Sequence, residues 1–187
     1  MNLPNKLTLL RIVLSFVLIV CLLSPGFPAK LAAIAVFAAA ALTDLIDGRL
    51  ARRWGAVTDF GVLMDPVADK VLVLSAFVSF VQLNLVPAWM VVLIAAREFL
   101  VTGFRLFALG KGQVLAAESA GKQKTVSQMA AISLSLIYLA AAERFRSAEW
   151  LSQGRAAVWV LVLLTVGLTL SSGLSFFWRN RRIILNV

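Results

Sequence analysis

Six apolar stretches, at about residues 7–24, 31–52, 64–84, 87–109, 124–142 and 155–178, leave this chain few ways to fold. Each approaches the roughly 20 residues that an α-helix needs to cross a hydrocarbon layer about 30 Å thick. Turn-forming residues punctuate them: Pro25-Gly26-Phe27-Pro28, Asn84 to Pro87, and Gly110-Lys111-Gly112. A soluble surface would require about 25% charged residues, whereas this chain has 14%, against 61% hydrophobic. Hydrocarbon offers no partner to backbone N–H and C=O groups, so each span must pair its own. The expectation is an all-α integral membrane domain of six transmembrane helices filling residues 1–187, without internal repeats or a low-complexity linker.

The formal net charge is +9. Nucleic-acid binding fits poorly, because the basic residues adjoin apolar spans and form no soluble basic face. Six spans put both termini on one side. That side collects 14 Lys and Arg and leaves Lys30, Arg144, Arg146 and Arg155 opposite. The positive-inside rule then places both termini and the 49–70 segment in the cytoplasm. Lys6 and Arg11 ahead of an apolar run resemble a signal peptide, but Leu22-Leu23-Ser24-Pro25 is no small-x-small cleavage site, so a retained first helix is expected. The chain has one cysteine, Cys21, and no histidine. An internal disulfide and a thiolate metal cluster are excluded, and metal or proton chemistry falls to carboxylates.

Five of the nine acidic residues lie between positions 44 and 69. Asp44 and Asp47 share a helix face at the end of the second span, and Asp65 and Asp69 share one at the start of the third. A turn near Trp54-Gly55 would set the two pairs opposite each other just inside the membrane surface. Four such carboxylates repel one another, and two divalent cations would cancel their charge. Oxygen-only ligation selects hard ions such as Mg²⁺, Mn²⁺ or Ca²⁺, and paired metals stabilise displacement at phosphorus. Gly48 and Gly61 leave room for a ligand to approach the backbone, Ala51 keeps the face of Asp47 open, and Arg52 can meet a phosphate. Helix capping and pairing with Arg49, Arg52, Arg53 and Lys70 would account for one or two aspartates. Four on otherwise apolar helices cost too much for that alone.

The pattern Asp44-x2-Asp47-Gly48-x2-Ala51-Arg52-x8-Gly61-x3-Asp65-x3-Asp69 resembles the signature of the CDP-alcohol phosphatidyltransferases. The resemblance implies a six-helix membrane fold, usually a homodimer, with two Mg²⁺ or Mn²⁺ ions per active site opening to the cytoplasm. By it Asp44, Asp47, Asp65 and Asp69 bind metal, and Asp69 is also the general base on the acceptor hydroxyl. Asp44, Asp47, Gly48, Ala51, Arg52, Gly61 and Asp65 would bind CDP-diacylglycerol. Asn2 to Arg11, Ala96-Arg97-Glu98 and Gly121-Lys122-x-Lys124-Thr125-x2-Gln128-Met129 are similar to segments of the phosphatidylglycerophosphate synthase branch. That branch implies glycerol 3-phosphate as acceptor, with phosphatidylglycerophosphate and CMP as products.

A phosphorylated acceptor needs a basic pocket beside the carboxylates. Arg105, Lys122 and Lys124 are the candidates for its phosphate, ahead of Arg97 and Lys111. Lys111 reads equally as a mark of the inner surface, and Arg97 beside Glu98 as a structural ion pair. Asn5, Thr8 and Arg11 either reach the nucleotide or anchor the interface. Two other readings stay open: a different acceptor, such as inositol phosphate, serine or phosphatidylglycerol, and a divalent-cation carrier. Carriers tend toward internal repeats and broken midplane helices.

Overall fold

The computed structural model describes residues 3–54, 59–112 and 119–181, with side chains for 5–44, 64–112, 121 and 123–181. All the described elements are helices: α1 (Leu3–Leu23), α2 (Phe27–Trp54), α3 (Asp59–Gln82), α4 (Ala88–Gly110), α5 (Ser119–Arg144) and α6 (Leu151–Arg179). They run close to the expected spans, extended by a few residues where polar turns continue the helix into the interface. α1 packs chiefly against α2 and α3, and α6 against α5 and α4. α2 meets α5, and α3 meets α4 and α5, so the two groups of helices close into one bundle.

The six helices differ in the charge they carry. Asn5–Leu23, Phe27–Asp44, Gln123–Arg144 and Leu151–Arg179 are long and apolar enough to cross a membrane unaided. Among the described residues α3 and α4 are not, because Asp65, Asp69 and Lys70 interrupt one and Arg97, Glu98 and Arg105 the other. Those charges turn inward or toward one end of the bundle, and the remaining faces stay apolar. Val20, Phe16, Val92, Phe99, Leu174 and Trp178 are all more than half exposed. Such a surface suits lipid and would be an association hazard in water.

α1 displays this inside-out pattern along one stripe. Asn5, Thr8, Arg11, Ser15, Leu18 and Leu22 recur at helical spacing and are all buried. The stripe is polar near the amino end and apolar near the carboxyl end, so one helix face serves a polar site and then the core. Leu18 and Leu22 join Phe37, Phe77, Phe80, Met90, Ile94 and Ile132 in the central cluster.

The turns at the other end are chemically explicit. Asn84 stands at φ 54°, with bonds from Leu85 N to Phe80 O (2.8 Å) and from Asn84 N to Val81 O (2.9 Å). That is the Schellman closure of a helix, in which asparagine substitutes for the usual glycine. Lys30, buried on α2, closes α1 by donating from Nζ to Leu22 O (2.5 Å) and Ser24 O (2.9 Å). The Pro25–Pro28 turn is therefore tied from below, and α1 is held antiparallel to α2. At a rise of 1.5 Å per residue, Asp44 and Asp65 both stand about 25 Å from the turn-side ends of their helices. They therefore share a level near the opposite surface.

At Gly154 α6 lies close against Tyr138 of α5. A Cβ there would lie 2.7 Å from Tyr138 Cε2. The ring has little freedom to yield, because its hydroxyl donates to Leu151 O at 3.0 Å and its edge meets Trp150. Gly154→Ala should destabilise the protein by about 1–3 kcal/mol, the usual cost of overpacking. Gly167→Ala, where no atom lies within 4 Å, should be neutral or slightly stabilising. Thermal unfolding of both variants in detergent measures the contrast.

Candidate active site

Three helices bring acidic and basic side chains together at the end of the bundle away from Asn84. Arg11 on α1 has no exposed side-chain surface. Its Nη1 lies 3.0 Å from Asp44 Oδ1 on α2 and 2.5 Å from Asp69 Oδ1 on α3. One turn earlier, Thr8 Oγ1 donates to Asp65 Oδ1 at 2.6 Å. Asn5 is buried one further turn along the same face. The polar half of the α1 stripe thus holds three of the four predicted aspartates. Thr8 and Arg11 are completely buried against these carboxylates.

Asp47, Gly48, Ala51 and Arg52 lie on the last turns of α2 and Gly61 on the first turn of α3, beyond the described side chains. Lys122, near the start of α5, is likewise outside them.

The donor chemistry suits hard divalent cations. Asp44 and Asp69 are 49% and 54% exposed, open to ions from the water side. Asp65 carries a second oxygen beside the one that Thr8 engages. Among the described residues no three acidic side chains by themselves form a metal cage, and Arg11 sits between Asp44 and Asp69.

Behind the aspartates lie two cavities. One, of about 260 Å³, is bordered by Asp65, Asp69, Lys70, Glu98, Lys124 and Gln128. The other, of about 570 Å³, is bordered by Lys70, Arg97, Glu98, Arg105 and Lys124. Arg105 and Lys124, expected to meet an acceptor phosphate, therefore line one chamber. Arg105 rests its guanidinium on the Phe176 ring, 5.4 Å from the centroid, and its buried Nε has no hydrogen-bond partner among the described residues. Arg97 forms the expected buried contact with Glu98 (3.4 Å) and a second with Ser172 Oγ (2.8 Å). Lys111 lies over Phe107, at the exposed end of α4.

Sequence reasoning missed two partners. Lys70 reads as a helix-end ion pair yet borders both cavities; its position one residue after Asp69 gave a faint signal. Gln128 lies four residues after Lys124, and this i,i+4 spacing could have placed both on one inward face.

The family model described as CDP-alcohol phosphatidyltransferase matches residues 1–171 of the chain. The chain is 41% identical over 193 aligned positions to a Bacillus subtilis protein named CDP-diacylglycerol–glycerol-3-phosphate 3-phosphatidyltransferase, covering 96% of this chain and 95% of that one. It is 43% identical to a probable phosphatidylglycerophosphate synthase of Mycobacterium tuberculosis, over 74% of this chain and 67% of the other. An Escherichia coli protein named like the first is 40% identical over 71% of this chain and 75% of its own length.

Among the described side chains, Arg11 supplies positive charge to Asp44 and Asp69. Arg11→Met should lower the unfolding temperature in EDTA. The loss should fall below the about 3–5 kcal/mol of a fully buried broken pair, because both carboxylates remain half exposed. Added Mn²⁺ should raise the unfolding temperature more in the variant than in the parent, since an external cation then takes over the vacated charge. Thermal scans with and without Mn²⁺ measure both effects.

Proposed function

The chain belongs to the CDP-alcohol phosphatidyltransferase family, and on that premise we propose that it transfers the phosphatidyl group of CDP-diacylglycerol to sn-glycerol 3-phosphate. The products are phosphatidylglycerophosphate and CMP. The observation that carries this reading is the adjacency of two unlike chambers. Asp65 and Asp69 line a cavity that shares Lys70, Glu98 and Lys124 with a second one, also lined by Arg97 and Arg105. An acceptor with a hydroxyl at one end and a phosphate dianion at the other matches that polarity. Serine lacks the dianion. The names borne by the relatives from Bacillus subtilis and Escherichia coli support the same acceptor.

The protein is a multi-pass membrane protein. The lipid donor reaches the site laterally, with its acyl chains against the apolar outer faces. The excess of Lys and Arg on the side of the aspartates supports a cytoplasmic active site in the cell membrane, facing the pool of soluble acceptor. A homodimer follows from the family's usual assembly.

Asp44, Asp47, Asp65 and Asp69 would hold two Mg²⁺ or Mn²⁺ ions, which supply positive charge to the pyrophosphate and to the leaving group. Gly48, Ala51 and Gly61 leave space for the cytidine nucleotide, with Asn5 and Thr8 on α1 beside it. Arg105, Lys122 and Lys124, joined by Lys70, take the acceptor phosphate and aim its 1-hydroxyl at Asp69. Asp69 removes that proton as the oxygen attacks the phosphorus bearing diacylglycerol. The bond from that phosphorus to the bridging oxygen breaks, and CMP departs with the electron pair, its charge met in part by Arg52.

Purified protein should release CMP from CDP-diacylglycerol when glycerol 3-phosphate is supplied, and not with serine, inositol phosphate or phosphatidylglycerol. Chelation should abolish release, and Mg²⁺ or Mn²⁺ should restore it; metal-independent turnover would rule out the proposed ion site. Asp69→Asn should lower turnover by about 10²–10⁴, the usual contribution of a general base, while retaining CDP-diacylglycerol binding by equilibrium dialysis.

A further inference from the structure

Lys70, Glu98 and Lys124 border both chambers. Among the described residues that line the larger chamber, Glu98 is the one carboxylate, against Lys70, Arg97, Arg105 and Lys124. Coulomb attraction at low dielectric would draw such cations onto Asp65 and Asp69 unless something held them back. Glu98 is placed to do so. Its Oε1 accepts from Lys124 Nζ in a short contact, from Arg97 Nη1 at 3.4 Å and from Gln128 Nε2 at 3.4 Å. The set is anchored to α6, where Arg97 Nη2 donates to Ser172 Oγ at 2.8 Å and Gln128 Nε2 to Thr169 Oγ1 at 3.4 Å. All six side chains are buried.

This arrangement sorts the basic groups. Lys124 and Arg97 are neutralised in part by Glu98. Among the described residues Arg105 has no carboxylate within ion-pair distance, and Lys70 Nζ donates to Pro66 O at 2.9 Å and to no carboxylate. Of the three donors on the Lys124 ammonium, one goes to Glu98 and one to Gln128 Oε1 at 3.4 Å. One remains for a ligand.

We propose that Glu98 is a positioning residue for the acceptor. It holds Lys124 at the partition between the two chambers, where the ammonium faces the acceptor phosphate without sinking onto Asp69. Arg105 and Lys70 then bind the phosphate from the far side, and the acceptor spans the partition with its hydroxyl toward the aspartates. The inference rests on the acceptor reading given above and adds the residue that sets the acceptor's register.

The test compares Michaelis constants for the two substrates in Glu98→Gln, Glu98→Asp and the double variant Glu98→Gln/Lys124→Met. Glu98→Gln should raise KM for glycerol 3-phosphate by about ten- to a hundredfold, the scale of a misplaced charged contact. KM for CDP-diacylglycerol should stay within about twofold, a split that general loosening of the bundle would not produce. Glu98→Asp, which keeps the charge, should fall between parent and Gln variant. The double variant removes both members of the pair, so it should fold even where the single one does not, and it should keep the raised KM. A double variant with the parent's KM, or equal rises for both substrates in Glu98→Gln, would overturn the inference. The parent protein separates the two levels: failure to use glycerol 3-phosphate at all removes the acceptor reading, whereas normal use with an indifferent Glu98 removes only this one.

Discussion

A guanidinium without exposed surface is an expensive object in a membrane bundle, and Arg11 is that object. Its cost is bearable only where opposite charge meets it within contact distance. Asp44 and Asp69 do so from two different helices, so docking α1 against α2 and α3 and neutralising Arg11 are the same event. The register of all three helices follows. Were α1 to slide by one turn, about 5.4 Å, Arg11 would lose both carboxylates and Thr8 would lose Asp65. Apolar contacts between Leu18, Leu22, Phe37 and Phe77 add packing, but they could be satisfied in several registers. The charged contact selects one.

The same constraint explains how much of the molecule can be read from the chain. The spans, their turns and the spacing of Asp44, Asp47, Asp65 and Asp69 are local properties, and each has a strong chemical signature. Arg11 does not. Its partners are 33 and 58 positions away, and it lies in a stretch whose outer faces are almost uniformly apolar. The buried stripe from Asn5 to Leu22 has regular helical spacing, but hydrophobic neighbours on every other face flatten the contrast on which periodicity depends. A basic residue near the amino end therefore reads as an interfacial anchor. Only the tertiary fold shows it to be internal. Lys70 and Gln128 were obscured for a related reason, since a charged or polar residue near a helix end has an inexpensive explanation in water.

α3 and α4 make the converse point. Each interrupts an apolar span with three ionisable groups, Asp65, Asp69 and Lys70 on one and Arg97, Glu98 and Arg105 on the other. Those groups are the ones that border the site. In a soluble protein they would be distributed over the surface, with little consequence for stability. Here they must converge, because lipid excludes them from the outer faces. The position of the site is therefore a consequence of the same exclusion that makes the chain a bundle.

Convergence alone would give a neutral knot of ion pairs with no capacity to bind substrate. The described residues avoid this by keeping two partial balances separate. Arg11 neutralises part of the aspartate cluster from α1, and Glu98 neutralises part of the basic chamber from α4. Each pole keeps residual charge of its own sign, with two carboxylates half exposed on one side and Arg105 without a carboxylate on the other. Each balance draws on more than one helix. The aspartates on α2 and α3 need α1, and the lysine on α5 needs α4, which is itself tied to α6 through Arg97 and Ser172. All six helices are thus committed to holding apart two charges that would otherwise annihilate. That separation, more than any one side chain, allows a cavity in a low-dielectric medium to receive an acceptor that is polar at both ends.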